Sequence, residues 1–118
     1  MDKDLLKAKV CAAIDDSAAE IEALANSIAD EPELGFKEVK TSAKVAEFMR
    51  NLGLDPQMGL AINGVKARAK GCKAGPTVAV IGELDAVGCP DSCKADPMTG
   101  AAHACGPVSY THLRAHET

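Results

Sequence analysis

From Lys3 to about Ala29, apolar side chains recur every three or four positions: Leu6, Val10, Ile14, Ala18, Ile21, Ala25 and Ile28, with Asp, Glu and Lys between them. This spacing predicts one long amphipathic helix with its stripe turned to a core. The run Asp30-Glu31-Pro32-Glu33 ends it, because the residue before a proline is steered out of helical geometry, and Leu34-Gly35-Phe36 reads as a connecting turn. A second helix is predicted from about Lys37 to Leu52, burying Val45, Phe48, Met49 and Leu52, with Gly53 placed to take the left-handed closing conformation.

Beyond Asp55-Pro56 the period changes. Ile62, Val65, Ala67 and Ala69 around Asn63-Gly64 suggest an edge strand or a bent hairpin between Leu60 and Ala69. Thr77-Val78-Ala79-Val80-Ile81-Gly82 is short, continuously apolar and rich in β-branched residues, which is how a strand buried on both faces reads. Two helices followed by such a strand predict an α/β fold, with the strand in a mostly parallel sheet. At its end Glu83 and Asp85 stand two residues apart and project to one side, at the carboxyl edge where open α/β sheets bind ligands.

The chain has 118 residues, 47% hydrophobic and 25% charged, which fits at most one ordered domain. With no Trp, one Tyr and two Phe, any core rests on aliphatic side chains and alanine, so its stability margin is expected to be thin. A net charge of −4, with scattered basic residues, excludes a nucleic-acid footprint. No apolar run reaches the length of a membrane span and the start lacks a signal-peptide centre, so no membrane partner and a cytoplasmic location are expected. Five cysteines, Cys11, Cys72, Cys89, Cys93 and Cys105, then read as thiols or metal ligands rather than a disulfide framework.

Chemistry concentrates in two places. Gly82-Glu83-Leu84-Asp85-Ala86 sets two carboxylates where the apolar run surfaces, a pairing suited to orienting an imidazole or moving protons; solvated loop acids are the plainer reading. After a loop rich in Pro, Asp and Gly comes Ala102-His103-Ala104-Cys105-Gly106, whose imidazole and thiol are good zinc donors but two short of a closed site. Adding Cys89 and Cys93 gives C-x3-C-x9-H-x-C, so a structural zinc held by Cys89, Cys93, His103 and Cys105 in a small noncatalytic α/β module is the rival reading. His112 and His116 share a helical face, yet Leu113 stands where the zincin pattern requires Glu.

Three ordered motifs, Pro32-Glu33-Leu34-Gly35-Phe36-Lys37-Glu38 with Thr41-Ser42, Gly82-Glu83-Leu84-Asp85-Ala86, and His103-Ala104-Cys105-Gly106, resemble the zinc-dependent amidohydrolases related to aminoacylase and carboxypeptidase. That group includes N-acyl-amino-acid, hippurate and auxin-conjugate hydrolases. The resemblance spans about residues 8–106 and implies the N-terminal part of a metallopeptidase-type catalytic domain. It implies hydrolysis of an amide bond in a small acylated amino acid or dipeptide-like substrate, by water held between two divalent ions, zinc or manganese. On it, Cys105 matches the metal-ligating cysteine, with His103 beside it in support. Asp85 matches an aspartate that orients a metal-bound histidine, and Glu83 stands where these relatives carry His. The Pro32–Glu38 motif carries no obvious chemistry and reads as helix-connecting structure.

After Gly106 the family pattern continues with a metal-binding His and then Asn or Asp, whereas this chain has Pro107. The later Glu pair, further histidines and a dimerising lid domain of the family have no counterpart here. Residues 107–118 instead resemble a translated adapter read-through. The resemblance therefore implies an incomplete, inactive portion over 1–106, which does not bind the metals by itself, a non-native tail, and an intact enzyme that forms a homodimer.

Overall fold

A computed structural model describes residues 2–105. Three helices come first, α1 (Lys3–Asp16), α2 (Ala18–Ala29) and α3 (Val39–Asn51). Four short strands follow: β1 (Gln57–Leu60), β2 (Gly64–Lys66), β3 (Val87–Gly88) and β4 (Ala101–Ala102). The α/β composition expected from the pattern is present. His112 and His116, with the rest of 106–118, lie outside the described residues.

The single long helix is corrected to two. Ser17 leaves helical geometry at φ −94° and ψ 1°, and its N–H is shared between the Ala13 and Ile14 carbonyls. The apolar stripe does not meet a core: Leu6, Val10 and Ile14 are all exposed, and no residue of α1 or α2 is buried. The Cα radius of gyration is 16.4 Å, against the ~13 Å of a close-packed domain of this length.

α3 is where packing begins. Its buried residues are Thr41, Ser42 and Ala46, whereas the expected Val45, Phe48 and Met49 are half-buried and Leu52 is 61% exposed. The reason lies in what covers the helix. The face that meets the preceding loop is packed by small and hydrogen-bonded side chains, whereas the larger Val45, Phe48 and Met49 are covered only in part. Gly53 closes α3 as expected: at φ 77° its N–H donates to the Arg50 carbonyl and that of Leu54 to the Met49 carbonyl, a Schellman arrangement.

The start of α3 is capped from a distance. Glu38 occupies the cap position but makes no cap bond with its side chain. The Glu33 carboxylate does that work: Oε2 accepts from the Thr41 N–H at 2.8 Å and the Thr41 hydroxyl at 2.9 Å, and Oε1 from the Lys40 N–H at 3.2 Å. Glu38 turns back instead, accepting the Phe36 N–H at 2.8 Å, which holds Phe36 at φ 64°, and the Asn63 amide at 3.0 Å. Glu31 ties α2 to α3 by accepting from Lys44 at 2.7 Å and Lys40 at 3.2 Å.

β1 and β2 form the bent hairpin expected near Asn63-Gly64, antiparallel and with an irregular register. Its turn is Ala61-Ile62-Asn63, with Ala61 and Ile62 at positive φ. Gly64 is required there, because a Cβ would lie 2.5 Å from the Leu60 carbonyl oxygen.

Two expectations fail. The Thr77–Gly82 run forms no strand and is exposed along its whole length, and both two-stranded sheets are antiparallel, order β1-β2 and β3-β4. A doubly buried strand needs neighbours on both edges and layers on both faces, and the described residues supply neither. One parallel contact remains, the bridge between Leu34 and Ala86.

Burial raises the Glu33 pKa, but the hydrogen bonds from Thr41 and Lys40 outweigh it and hold the group below its ordinary 4.5. Glu38 follows suit: burial raises it, and the bonds from Asn63 and the Phe36 N–H bring it below the same value. Folded-state values below the unfolded ones mean stability that is present above about pH 4.5 and lost as pH falls through the folded values. Urea unfolding followed by far-UV circular dichroism should therefore show the midpoint falling with acidification below that pH, with a shallower fall in Glu33→Gln.

At neutral pH, Glu33→Ala should cost about 1–2 kcal/mol, the range of a lost helix cap. Gly53→Ala meets no atom within 4 Å, so its cost is conformational alone, about 1 kcal/mol in the same assay.

Candidate functional site

The loop between α2 and α3 does more than connect helices. The Glu33 carbonyl accepts the Ala86 N–H at 2.7 Å, and Leu34 bridges Ala86 in parallel, so the first motif grips the end of the second. Ala86 is buried by this contact, and the next residues, Val87 and Gly88, form β3. β3 pairs with β4, Val87 opposite Ala102 and Gly88 opposite Ala101, and both alanines of β4 are buried. The third motif begins one residue later at His103. Three stretches separated by up to about seventy positions are thus laid side by side through main-chain hydrogen bonds.

The return from β3 to β4 is built on Asp96. Its Oδ1 accepts the Thr99 N–H at 2.7 Å, the Thr99 hydroxyl at 2.9 Å and the Met98 N–H at 3.0 Å. These bonds, the Thr99 N–H first among them, hold its carboxyl below the ordinary carboxylate value. Main-chain bonds from Asp96 to the Ala101 carbonyl and from Gly100 to the Asp96 carbonyl close the knot, and the Cys89 N–H reaches the Gly100 carbonyl at 2.8 Å. Reading the sequence as a loop rich in turn formers missed this. The Asp96-Pro97-Met98-Thr99-Gly100 order was its signal, since an Asp side chain that accepts from the N–H two and three residues on builds such a turn.

The result is a small cleft of about 80 Å³ lined by Glu83, Asp85, Val87, Ala102, His103, Ala104 and Cys105. All four residues singled out for chemistry, Glu83, Asp85, His103 and Cys105, line this one space. Each is exposed, so the cleft is open to water. Asp85 lies against the first motif as well: a Cβ on Gly35 would stand 3.9 Å from its Oδ2.

The rival quartet does not assemble. Cys93 lines a different cleft, of about 310 Å³, with Ala29, Asp30, Pro32, Lys94, Ala95, Asp96 and Pro97. Cys89 is half-buried and lines neither space, whereas His103 and Cys105 face Glu83 and Asp85. The Asp96 knot is the physical reason: it coils residues 89–100 into turns that carry Cys93 toward the end of α2. Among the described residues, no three of His, Cys, Asp and Glu come close enough to hold a metal ion. The donors gathered here therefore do not amount to the two-metal site that the resemblance implies. No helix among the described residues is long and apolar enough to cross a membrane.

Comparison with known proteins places these motifs in context. The chain is 36% identical over 83 residues to the amidohydrolase YhaA of Bacillus subtilis, a match covering 68% of this chain and 21% of that protein. It is 33% identical over 90 residues to thermostable carboxypeptidase 2 of Saccharolobus solfataricus, covering 73% of this chain and 23% of the relative. A third match, to N-acetylcysteine deacetylase of Bacillus subtilis, is 30% identical over 89 residues and covers 70% and 23% of the two chains. The matched part thus spans between a fifth and a quarter of the length of these relatives. No family model matches the chain, and no solved structure does. Ordered motifs that meet in one cleft, together with these similarities over about 70% of its length, place the chain in the family of amidohydrolases and carboxypeptidases that these proteins represent.

Proposed function

We propose that residues 1–106 are the N-terminal portion of a metallopeptidase-type catalytic domain, and that the intact enzyme hydrolyses the amide bond of a small N-acyl amino acid or dipeptide-like substrate. The observation that carries this reading is the meeting of Glu83, Asp85, His103 and Cys105 in one open cleft, from two motifs joined by β3 and β4. Relatives named amidohydrolase, carboxypeptidase and N-acetylcysteine deacetylase support amide-bond hydrolysis as the reaction type, and the last of these names an N-acyl amino acid.

Within the cleft the two carboxylates have separable roles. Asp85, set beside the anchored Ala86, is the positioning candidate: its carboxylate is suited to accepting the N–H of an imidazole brought into the cleft. Glu83, two positions earlier, is the proton-handling candidate at the mouth of the same space. Cys105 and His103 offer a thiolate and an imidazole, a donor set suited to zinc. A divalent ion, zinc or manganese, is the cofactor assigned to the intact enzyme. The described residues do not complete a ligand set for it. The reading further assigns residues 107–118 to a non-native tail, the intact protein to the cytoplasm, and its self-association to a domain beyond this chain.

Residues 8–105 exchanged for the matching segment of the YhaA amidohydrolase provide the test. The exchanged protein should release free amino acid from N-acyl amino acids. Asp85→Asn and Cys105→Ser should each lower that activity about 10–100-fold, the usual effect of losing an orienting group or a ligand. Cys93→Ser, in the other cleft, should leave it unchanged. Elemental analysis of the reduced 118-residue chain should find zinc well below one ion per chain. Near one zinc per chain, lost in both Cys89→Ser and Cys105→Ser, would instead establish the structural-zinc module.

A further inference from the structure

The motif from Pro32 to Glu38 lines no part of the cleft, yet it is clamped at both ends and meets the second motif in between. At one end the Glu33 carboxylate takes the Lys40 N–H and both the N–H and the hydroxyl of Thr41. At the other, Glu38 takes the Phe36 N–H and the Asn63 amide, and the Lys37 N–H closes the turn on the Leu34 carbonyl at 2.9 Å. Between these clamps the Ala86 N–H donates to the Glu33 carbonyl, Leu34 bridges Ala86, and the Asp85 Oδ2 lies 3.9 Å from where a Gly35 Cβ would stand. Thr41 and Ala86, the two groups that Glu33 holds, are 1% and 3% exposed, so water has little access to displace either bond.

We propose that Glu33 is a positioning residue for the cleft: by capping α3 with its side chain while its carbonyl holds Ala86, it fixes where the Asp85 carboxylate stands. The proposal rests on the hydrolase reading above, in which Asp85 orients an imidazole. It gives the first motif a part in the reaction beyond connecting two helices. An acceptor that orients a ring works only in the right place, and a misplacement of about 1 Å can cost on the order of 10²-fold in rate. Ala86 is the neighbour of Asp85 in the chain, so an anchor on its N–H bears directly on that carboxylate. Glu33 itself does not line the cleft. Its loss therefore falls on the chemical step through Asp85, while substrate binding is left as it was.

Two measurements test this. In the full 118-residue chain, amide hydrogen exchange at Ala86 should speed up about tenfold in Glu33→Ala, while the β1–β2 hairpin keeps its rates. Thr41→Val, which removes only the hydroxyl donor, should speed it less and keeps the comparison open where Glu33→Ala unfolds the chain. In the hybrid with the YhaA amidohydrolase, Glu33→Ala should lower kcat about tenfold with KM unchanged. Added to Asp85→Asn it should cost nothing further, because both losses act through one carboxylate. Lys44→Met unties α2 from α3 but spares the cap, and should leave kcat as it is. Ala86 exchange that ignores both Glu33→Ala and Thr41→Val overturns the proposal, as do additive losses in the double variant. A hybrid without activity overturns the hydrolase reading and the proposal with it, and is told apart because Ala86 exchange in the chain itself still responds.

Discussion

Glu33 is the residue on which the rest of this structure depends, because its two ends hold different things. Its carboxylate caps α3 through Thr41 and Lys40, and its main-chain carbonyl takes the Ala86 N–H. A carboxylate at a helix N-terminus satisfies orphan N–H groups and meets the positive end of the helix dipole. The same few ångströms of chain therefore fix where α3 starts and where β3 begins. Since β3 pairs with β4, and β4 leads directly into His103, the cleft is tied to a helix cap far away in sequence. Glu38 makes the arrangement rigid by holding Phe36 in a left-handed conformation that few side chains adopt unaided.

This explains why a chain with so little apolar core still shows an ordered site. The buried residues are alanines, Thr41, Ser42 and Glu38, with Pro32, and none contributes the burial of a leucine or phenylalanine. Hydrogen bonds that leave no buried side-chain donor or acceptor unpartnered among the described residues do the organising instead. Such bonds are each modest in net free energy, but they are directional. They specify which strand ends meet, whereas an aliphatic core of this size would specify little.

How much of this could be read from residues alone depends on the range of the interaction involved. Gly53 was legible because a helix stop is local chemistry, and the hairpin around Asn63-Gly64 for the same reason. Glu83 and Asp85 do line one cleft, but not by the two-residue period of a strand, since residues 77–85 form none. Ser17 was not legible: the apolar spacing runs straight through it, although its backbone leaves helical geometry. Thr77–Gly82 failed in the opposite way. Its composition states a buried strand, but burial belongs to neighbours, and a pattern of apolar residues cannot say whether they are present. The long-range cap by Glu33 was invisible because Glu38 holds the position where a cap is sought, five residues away.

The separation of Cys93 from Cys105 carries the strongest consequence for function. Spacing alone permits four donors to close on one ion, and a thiol-rich loop next to an imidazole invites that reading. The Asp96 knot forbids it, since its carboxylate is spent on Thr99 and Met98 and its backbone on Ala101 and Gly100. A loop committed to those bonds cannot swing Cys93 round to His103 without unpairing Cys89 from Gly100 and thereby loosening β3 from β4. Closing a zinc site would dismantle the ribbon that presents two of its own ligands. The bonds that carry Cys93 away are also those that pair β3 with β4, the ribbon that leads into His103 and the cleft shared with Glu83 and Asp85.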